Sequence, residues 1–213
     1  ASYFRLVGRG QEYGVSARGL AVNTATQGGE EFPAFRAFWL VRPEPNDAEM
    51  TLFALLDSPS VTGAYRFDVH AGNNTVIDVD ARLFARENVG KLGIAPLTSM
   101  FLYGENSQQY YDDFRPEVHS SDGVQMYTSS NQWLWRPLSN PPALNVTQLR
   151  DNSPRGFGLM QRDRNFEHYL DLEADYQNRP SLWVRPSEGD WGEGGVELVE
   201  IPTEKEINDN IVV

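Results

Sequence analysis

The sequence contains no cysteine among its 213 residues. Thiol nucleophiles, disulfides and cysteine metal sites are therefore excluded, while the compartment stays open. Basic residues are scarce: 18 Lys and Arg stand against 30 Asp and Glu, a formal net charge of −12. Nucleic acid and anionic membrane surfaces are bound through clustered basic side chains, so neither is an expected partner. No stretch approaches the roughly 18 apolar residues that a membrane helix needs, so insertion into a bilayer is not expected. The three histidines, His70, His119 and His168, lie far apart, and none sits in a spacing such as HExxH. No metal and no other cofactor is expected from them. There is no GxSxG elbow to support a serine nucleophile. Gly8-Arg9-Gly10 and Gly192-Glu193-Gly194-Gly195 are followed by no helical pattern, so a phosphate cradle is unsupported.

What is present suits a β protein. Hydrophobic residues make up 40% and aromatics 12% of the chain, enough for a core. The length fits one large all-β domain or two small ones. Candidate strands run over 12–23 (with a bulge at its glycines), 35–42, 50–56, 98–103, 124–127, 132–136, 143–149, 181–185 and 196–201. The clearest element is a hairpin, 61–69 with 75–83, across Ala71-Gly72-Asn73-Asn74. In its second arm Ile77, Val79, Ala81 and Leu83 alternate with Asp78, Asp80 and Arg82, which predicts one buried and one wet face. One helix is predicted from Phe166, with Phe166, Tyr169, Leu170 and Tyr176 near one face, Asp163 or Asn165 as its cap and Pro180 after its end. Many short strands and little helix predict a large antiparallel β-sandwich with one or two short helices.

The stretch 152–186 concentrates the chemistry. Gly156 and Gly158 permit close approach to the backbone. Phe157, Phe166, Tyr169, Tyr176 and Trp183 supply apolar faces, and Arg155, Arg162, Asp163, Arg164, His168, Asp171 and Arg179 supply polar heads among them. Such a mixture suits a sugar, whose ring has apolar faces and a hydroxyl rim; it equally suits a core with solvated charges. Trp133 and Trp135 share one strand face, as a stacking platform or as core. Carboxylates cluster at Asp112, Asp113, Glu117 and Asp122, at Asp171, Glu173 and Asp175, and at Glu204, Glu206 and Asp209. Glycoside hydrolysis needs two of them across a cleft, and spacing alone does not choose a pair.

Long stretches resemble the periplasmic glucan biosynthesis proteins G and D, the Opg or Mdo family. They include YGVSARGLAVNTA, EEFPAFRAFW, ALLDSPSVTGAYRF, KLGIAPLTSMF, FRPEVHSSDG, WLWRPLSNPP, NSPRGFGLMQRDRNFEHY, NRPSLWVRP and ELVEIPTEKEINDNIV. The resemblance implies a galactose mutarotase-like supersandwich with a long cleft, in the periplasm of the bacterial envelope, acting in osmoregulated periplasmic glucan biosynthesis. It implies β-1,2-glucan as ligand and inverting endo-hydrolysis as the reaction. Asp209 in the NDNIV motif then matches the general acid, and Tyr176 matches a tyrosine on the proton path. The base is expected directly after the histidine of RPEVH. Here that position is Ser120, and the next carboxylate is Asp122. Asn23 is a second departure, standing where the family motif has Asp.

Two functions are carried forward: a glucan hydrolase, and a non-catalytic glucan-binding or scaffold protein of the same pathway. A plain structural sandwich that contacts a partner protein is a third. His119, Trp133, Trp135, Arg155 and Trp183 are the expected glucan-binding residues, with Asp209, Tyr176, Ser120 and Asp122 at the reaction centre. By the same resemblance, residues 1–213 form the C-terminal part of the large sandwich domain. A signal peptide and upstream strands would precede them, and an immunoglobulin-like domain would follow. Ala1 opens directly into SYFRLVG, and Ile211-Val212-Val213 reads as an unfinished strand, which fits a piece of a longer precursor. An uncovered sheet edge invites association, a homodimer among the outcomes.

Overall fold

A computed structural model of the chain describes residues 2–107, 112–189 and 191–213. The chain divides into two compact units, Ala1–Gly10 with Ala17–Pro96, and Gln11–Ser16 with Leu97–Val213. Both are built from antiparallel strands, the all-β class expected from the sequence.

The first unit contains β1 (Tyr3–Phe4), all but the first residue of β2 (Ser16–Arg18), β3 (Ala21–Val22), β4 (Ala34–Leu40), β5 (Glu49–Asp57), β6 (Val61–His70), β7 (Val76–Ala85) and β8 (Leu92–Gly93). Strands β4 to β7 form a four-stranded meander in chain order. Its core face buries Ala54, Leu56, Val61, Tyr65 and Phe67 together with Leu20 and Val22. Phe35 meets Tyr65 and Phe67 edge-on at 5.4 and 6.0 Å. The Tyr65 hydroxyl donates to the Gly19 carbonyl at 2.8 Å, and burial pushes its pKa up to about 12. The hairpin of β6 and β7 forms as expected, but its arms pair further along than 61–69 against 75–83 implies, with Val61 opposite Ala85 and Val69 opposite Ile77. The expected burial of one β7 face is only partly realised. Ile77 and Leu83 pack against the core, but Val79 stays 45% exposed. As the edge strand of its sheet, β7 has a neighbour on one side only. Asn23 adopts φ 56°, a left-handed conformation that asparagine tolerates, and its Oδ1 accepts from the Lys91 backbone N–H.

The second unit contains β9 (Leu97–Ser99), β10 (Phe101–Tyr103), β11 (Val118–His119), β12 (Gly123–Tyr127), β13 (Trp133–Pro137), β14 (Asn145–Asp151), β15 (Gly156–Met160), β16 (Leu182–Val184), β17 (Gly194–Glu200) and β18 (Ile211–Val212). One sheet runs β9, β18, β17, β14, and another runs β13, β12, β15, β16. Strands β10 and β11 pair separately. Glu200 is fully buried on β17. It accepts from the Ser139 amide and hydroxyl and from Asn145, which satisfies its charge among charge-assisted bonds.

The helix predicted from Phe166 is not formed. Two three-residue 3-10 turns stand in its place, Phe166–His168 and Tyr176–Asn178. Asn165 caps the first as anticipated, accepting from the Glu167 amide. The chain then leaves helical geometry at Leu170, φ 54°, and at Asp175, φ 45°. Asp171 Oδ1 accepts from the amides of Glu173 and Ala174, a side-chain turn that competes with helical bonding. No helix of the described residues is long and apolar enough to cross a membrane.

Candidate functional site

Directly opposed residues in a sheet share a face. In the second unit, Tyr127 lies opposite Trp133 and Gly156, Gln125 opposite Trp135 and Gly158, and Gly158 opposite Trp183. One face of this sheet therefore carries Tyr127 and three tryptophans. The other face carries Val124, Met126, Phe157 and Leu159, all buried. The glycines make the aromatic face. A Cβ on Gly156 would lie 2.5 Å from the Trp183 ring, and one on Gly123 would lie 2.4 Å from the Trp135 ring. The indoles rest against bare backbone where any side chain would lift them. The close approach anticipated at Gly156 and Gly158 is thus made by Trp183 itself.

Trp133 is 57% exposed and Trp183 37%, so neither is core. Trp133 stacks on Tyr127 at 4.5 Å and meets Trp183 at 5.5 Å. The Arg155 guanidinium stands 5.6 Å from the Tyr127 ring centre. Trp133, Trp183, Tyr127 and Arg155 are therefore one cluster. Trp135 lies further along, with the Arg162 guanidinium 4.7 Å over its ring. It lines a cavity of about 460 Å³ together with Asp122, Pro137, Arg162, Asp163, Glu105 and Asn106. Tyr127 joins the platform only through the register of β12 against β13, which the sequence does not display.

Behind Asp122 lies a buried polar network. His119 is 1% exposed. Its Nδ1 is 3.1 Å from Gln161 Oε1 and its Nε2 is 2.7 Å from Glu117 Oε2. Rings of Phe101 and Tyr169 flank it, each at 5.3 Å. Gln161 is the hub. Its amide nitrogen donates to the carbonyls of His119 and Tyr176 and lies 3.0 Å from the Tyr169 hydroxyl oxygen. Tyr176 is buried, and burial pushes its phenol up to about 12. Burial likewise raises Tyr169 and lowers Arg179. The Arg179 guanidinium lies 4.2 Å from the centre of the Tyr176 ring and donates to Ser120 Oγ at 2.6 Å. Ser120, Arg179 and Tyr176 are thereby in contact.

An extended chain would aim Ser120 and Asp122 the same way, but here the backbone bends between β11 and β12. Ser120 turns to Arg179. Asp122 Oδ2 turns to the amides of Arg162 and Asp163, on the cavity side. Asp163 also receives His168 Nδ1 at 2.5 Å. That bond raises the His168 pKa. Burial opposes ionisation of Asp163, but bonds from the Asn165 amide and His168 outweigh it and hold its pKa down.

Asp209 is exposed and precedes β18. Ile207, two positions before it, is 86% exposed and gives it no apolar cover. Its neighbour Asn210 is buried and anchors the segment through the Phe101 amide and carbonyl and the Ile201 carbonyl. Glu206 reaches Arg115 at 2.8 Å, and Arg115 also binds Asp113 and Asp171. The Arg115 bonds hold the Asp113 pKa down to about 2. A depressed folded pKa contributes stability above the unfolded value, and that stability is lost as pH falls through the folded one. Amide protection across 203–208 and 113–115 is therefore expected to fall as pH drops from the ordinary carboxylate range toward about 2. In Arg115→Met the protection should be low at neutral pH already. A segment whose exchange ignores both changes would show that Arg115 does not hold it.

The family model described as periplasmic glucan biosynthesis protein, MdoG, matches residues 1–213. Glucans biosynthesis protein G of Pseudomonas paraeruginosa (strain DSM 24068 / PA7) is 57% identical over 212 residues, which are 100% of this chain and 40% of that protein. Glucans biosynthesis protein G 1 of Shewanella oneidensis is 59% identical over 212 residues, 100% of this chain and 39% of that protein. Glucans biosynthesis protein G of Sodalis glossinidius is 56% identical, covering 40% of its length. The chain spans about two fifths of the length of these curated relatives.

Proposed function

The chain belongs to the family of periplasmic glucan biosynthesis proteins, MdoG, and on that premise we propose that it binds β-1,2-linked glucan in the periplasm. The glucan runs along the Trp133–Trp183 face and enters the cavity beside Trp135 and Asp122. The observation that carries this reading is the exposed aromatic sheet face seated on glycines. Exposing several large aromatics to water on one sheet face is costly without a ligand, and sugar rings present matching apolar faces. Osmoregulated glucan synthesis is the pathway, and the residues belong to the C-terminal part of a larger sandwich domain that an immunoglobulin-like domain follows.

Chemistry is secondary to binding in this chain. Asp209 is the proposed general acid and Tyr176 a proton relay. The base position holds Ser120, whose hydroxyl already meets Arg179. Hydrolysis by the native sequence is therefore slow or absent, and the protein's role is that of a glucan-binding member of the pathway.

Alanine at Trp133, Trp135 or Trp183 should each weaken glucan binding by about 1 kcal/mol or somewhat more, as aromatic contacts do. Calorimetry with β-1,2-gluco-oligosaccharides on folded variants reads this directly, with β-1,4-linked oligomers as the control. Unchanged affinity in all three variants would remove the platform. Binding of both linkages alike would remove the specificity.

A further inference from the structure

Gln161 fixes the tautomer of His119. The carbonyls of His119 and Tyr176 can only accept, and both are met by the Gln161 amide nitrogen, at 3.2 and 3.1 Å. The amide oxygen therefore faces His119 Nδ1, so Nδ1 carries a hydrogen. In the neutral ring, Nε2 is then a bare lone pair. It points at Glu117 Oε2, 2.7 Å away, with Asp122 Oδ1 at 3.9 Å. These are all acceptors, in a place where His119 is 1% and Glu117 8% exposed. Positive charge has to lie among them, as a proton or as a metal ion.

The surroundings favour the ion. Asp163 and His168 also present ligand atoms that lie within 4.8 Å of Glu117's. Asp163 is already met by His168, so Glu117 and Asp122 are the two carboxylates left facing Nε2. A proton on Nε2 offsets one of them, and a divalent cation offsets both. Asp122 Oδ2 is occupied by two backbone amides, which leaves Oδ1 for the cluster. Ligands about 2.1 Å from an ion lie about 3 to 4 Å apart. The Nε2–Oδ1 distance of 3.9 Å already fits, and the Glu117 contact needs to open by a few tenths of an ångström. A metal-bound histidine usually donates its other N–H to a carbonyl or carboxylate that orients the ring, and Gln161 Oε1 stands in that place.

We propose that Glu117, His119 and Asp122 form a binding site for a divalent ion of the zinc or manganese class. The buried imidazole nitrogen selects against magnesium and calcium. Residues 117, 119 and 122 follow no recognised metal spacing, so the site exists only through the fold. The proposal does not rest on glucan as the ligand of the aromatic face.

The test uses the full chain, stripped with chelator and desalted, titrated separately with zinc, manganese and magnesium chlorides in a calorimeter. One saturable zinc per chain is expected, with magnesium at least about tenfold weaker. Glu117→Gln and Asp122→Asn should each weaken zinc binding at least about tenfold, and Gln161→Met by about 10- to 100-fold. In the unaltered protein, nitrogen NMR of His119 should show Nδ1–H retained and Nε2 shifted by zinc, which needs no variant to fold. Three outcomes overturn the proposal: no saturable zinc binding, a proton that stays on Nε2 at saturating zinc, or zinc affinity unchanged in both carboxylate variants.

Discussion

Ser120→Asp, made in the full-length protein, is expected to raise the rate of β-1,2-glucan cleavage at least about tenfold. Inversion needs a base that activates water on the face opposite the leaving group. A serine hydroxyl is not basic near neutral pH, and this one is buried with Arg179 Nη1 donating to it at 2.6 Å. An aspartate there would accept from the same guanidinium, which lies 4.2 Å from the Tyr176 ring centre. The new carboxylate would thus sit beside the proposed relay. General-base catalysis is worth about 10² to 10⁴ in rate, but Arg179 would also depress the pKa of its new partner and weaken it as a base. The lower bound on the gain is set for that reason. Adding Asp209→Asn should abolish the gain. Reducing-sugar release from β-1,2-glucan reads both steps. Fast cleavage by the Ser120 protein that disappears in Asp122→Asn would instead make Asp122 the base, a role its position in the Trp135 cavity allows.

Local patterning foretold the parts of the fold that depend on local patterning. The β6–β7 hairpin announced itself by alternation and turn residues, though its register, His70 opposite Val76, lies beyond the one that a turn at 71–74 implies. The pairing of Trp133 and Trp135 on one face also follows from strand geometry alone. Whether that face was core or surface did not, because Gly156, Gly158 and Trp183 come from strands about 20 to 50 residues away and settle it together. The helix expected from Phe166 failed for an identifiable reason. Its 3.6-residue pattern reflects Tyr169 and Tyr176 anchoring in a common cluster with Val118 and Tyr103, while Asp163, Asn165 and Asp171 bond the intervening amides. The hubs were the least legible. Gln161 contacts His119 across 42 positions, and Arg115 contacts Glu206 across 91. Nothing near either residue in sequence marks it.

Gln161→Leu should be the most disruptive of the single substitutions considered, with a loss of about 2 to 5 kcal/mol from the stability of the second unit. The side chain is 1% exposed, and leucine has similar volume, so the effect is not one of cavity formation. It is the stranding of polar groups. His119 Nδ1 would lose its acceptor, the His119 carbonyl its amide donor, and the Tyr169 hydroxyl one partner. Each buried group left unpaired costs about 1 to 3 kcal/mol. The Tyr176 carbonyl is less affected, because it also accepts from the Arg179 amide. The apolar gain of leucine offsets part of the total. With an m-value of about 2 kcal/mol per molar urea, the unfolding midpoint should fall by about 1 to 2.5 M. Because the same amide positions His119 and Tyr176, the variant should also lose the rate gained through Ser120→Asp. Glucan affinity at Trp133 and Trp183 should persist, since those indoles sit on the β12–β16 face and touch neither group. A midpoint shift below about 0.3 M, or loss of glucan binding together with the rate, would show that Gln161 is not the keystone that separates the reaction centre from the platform.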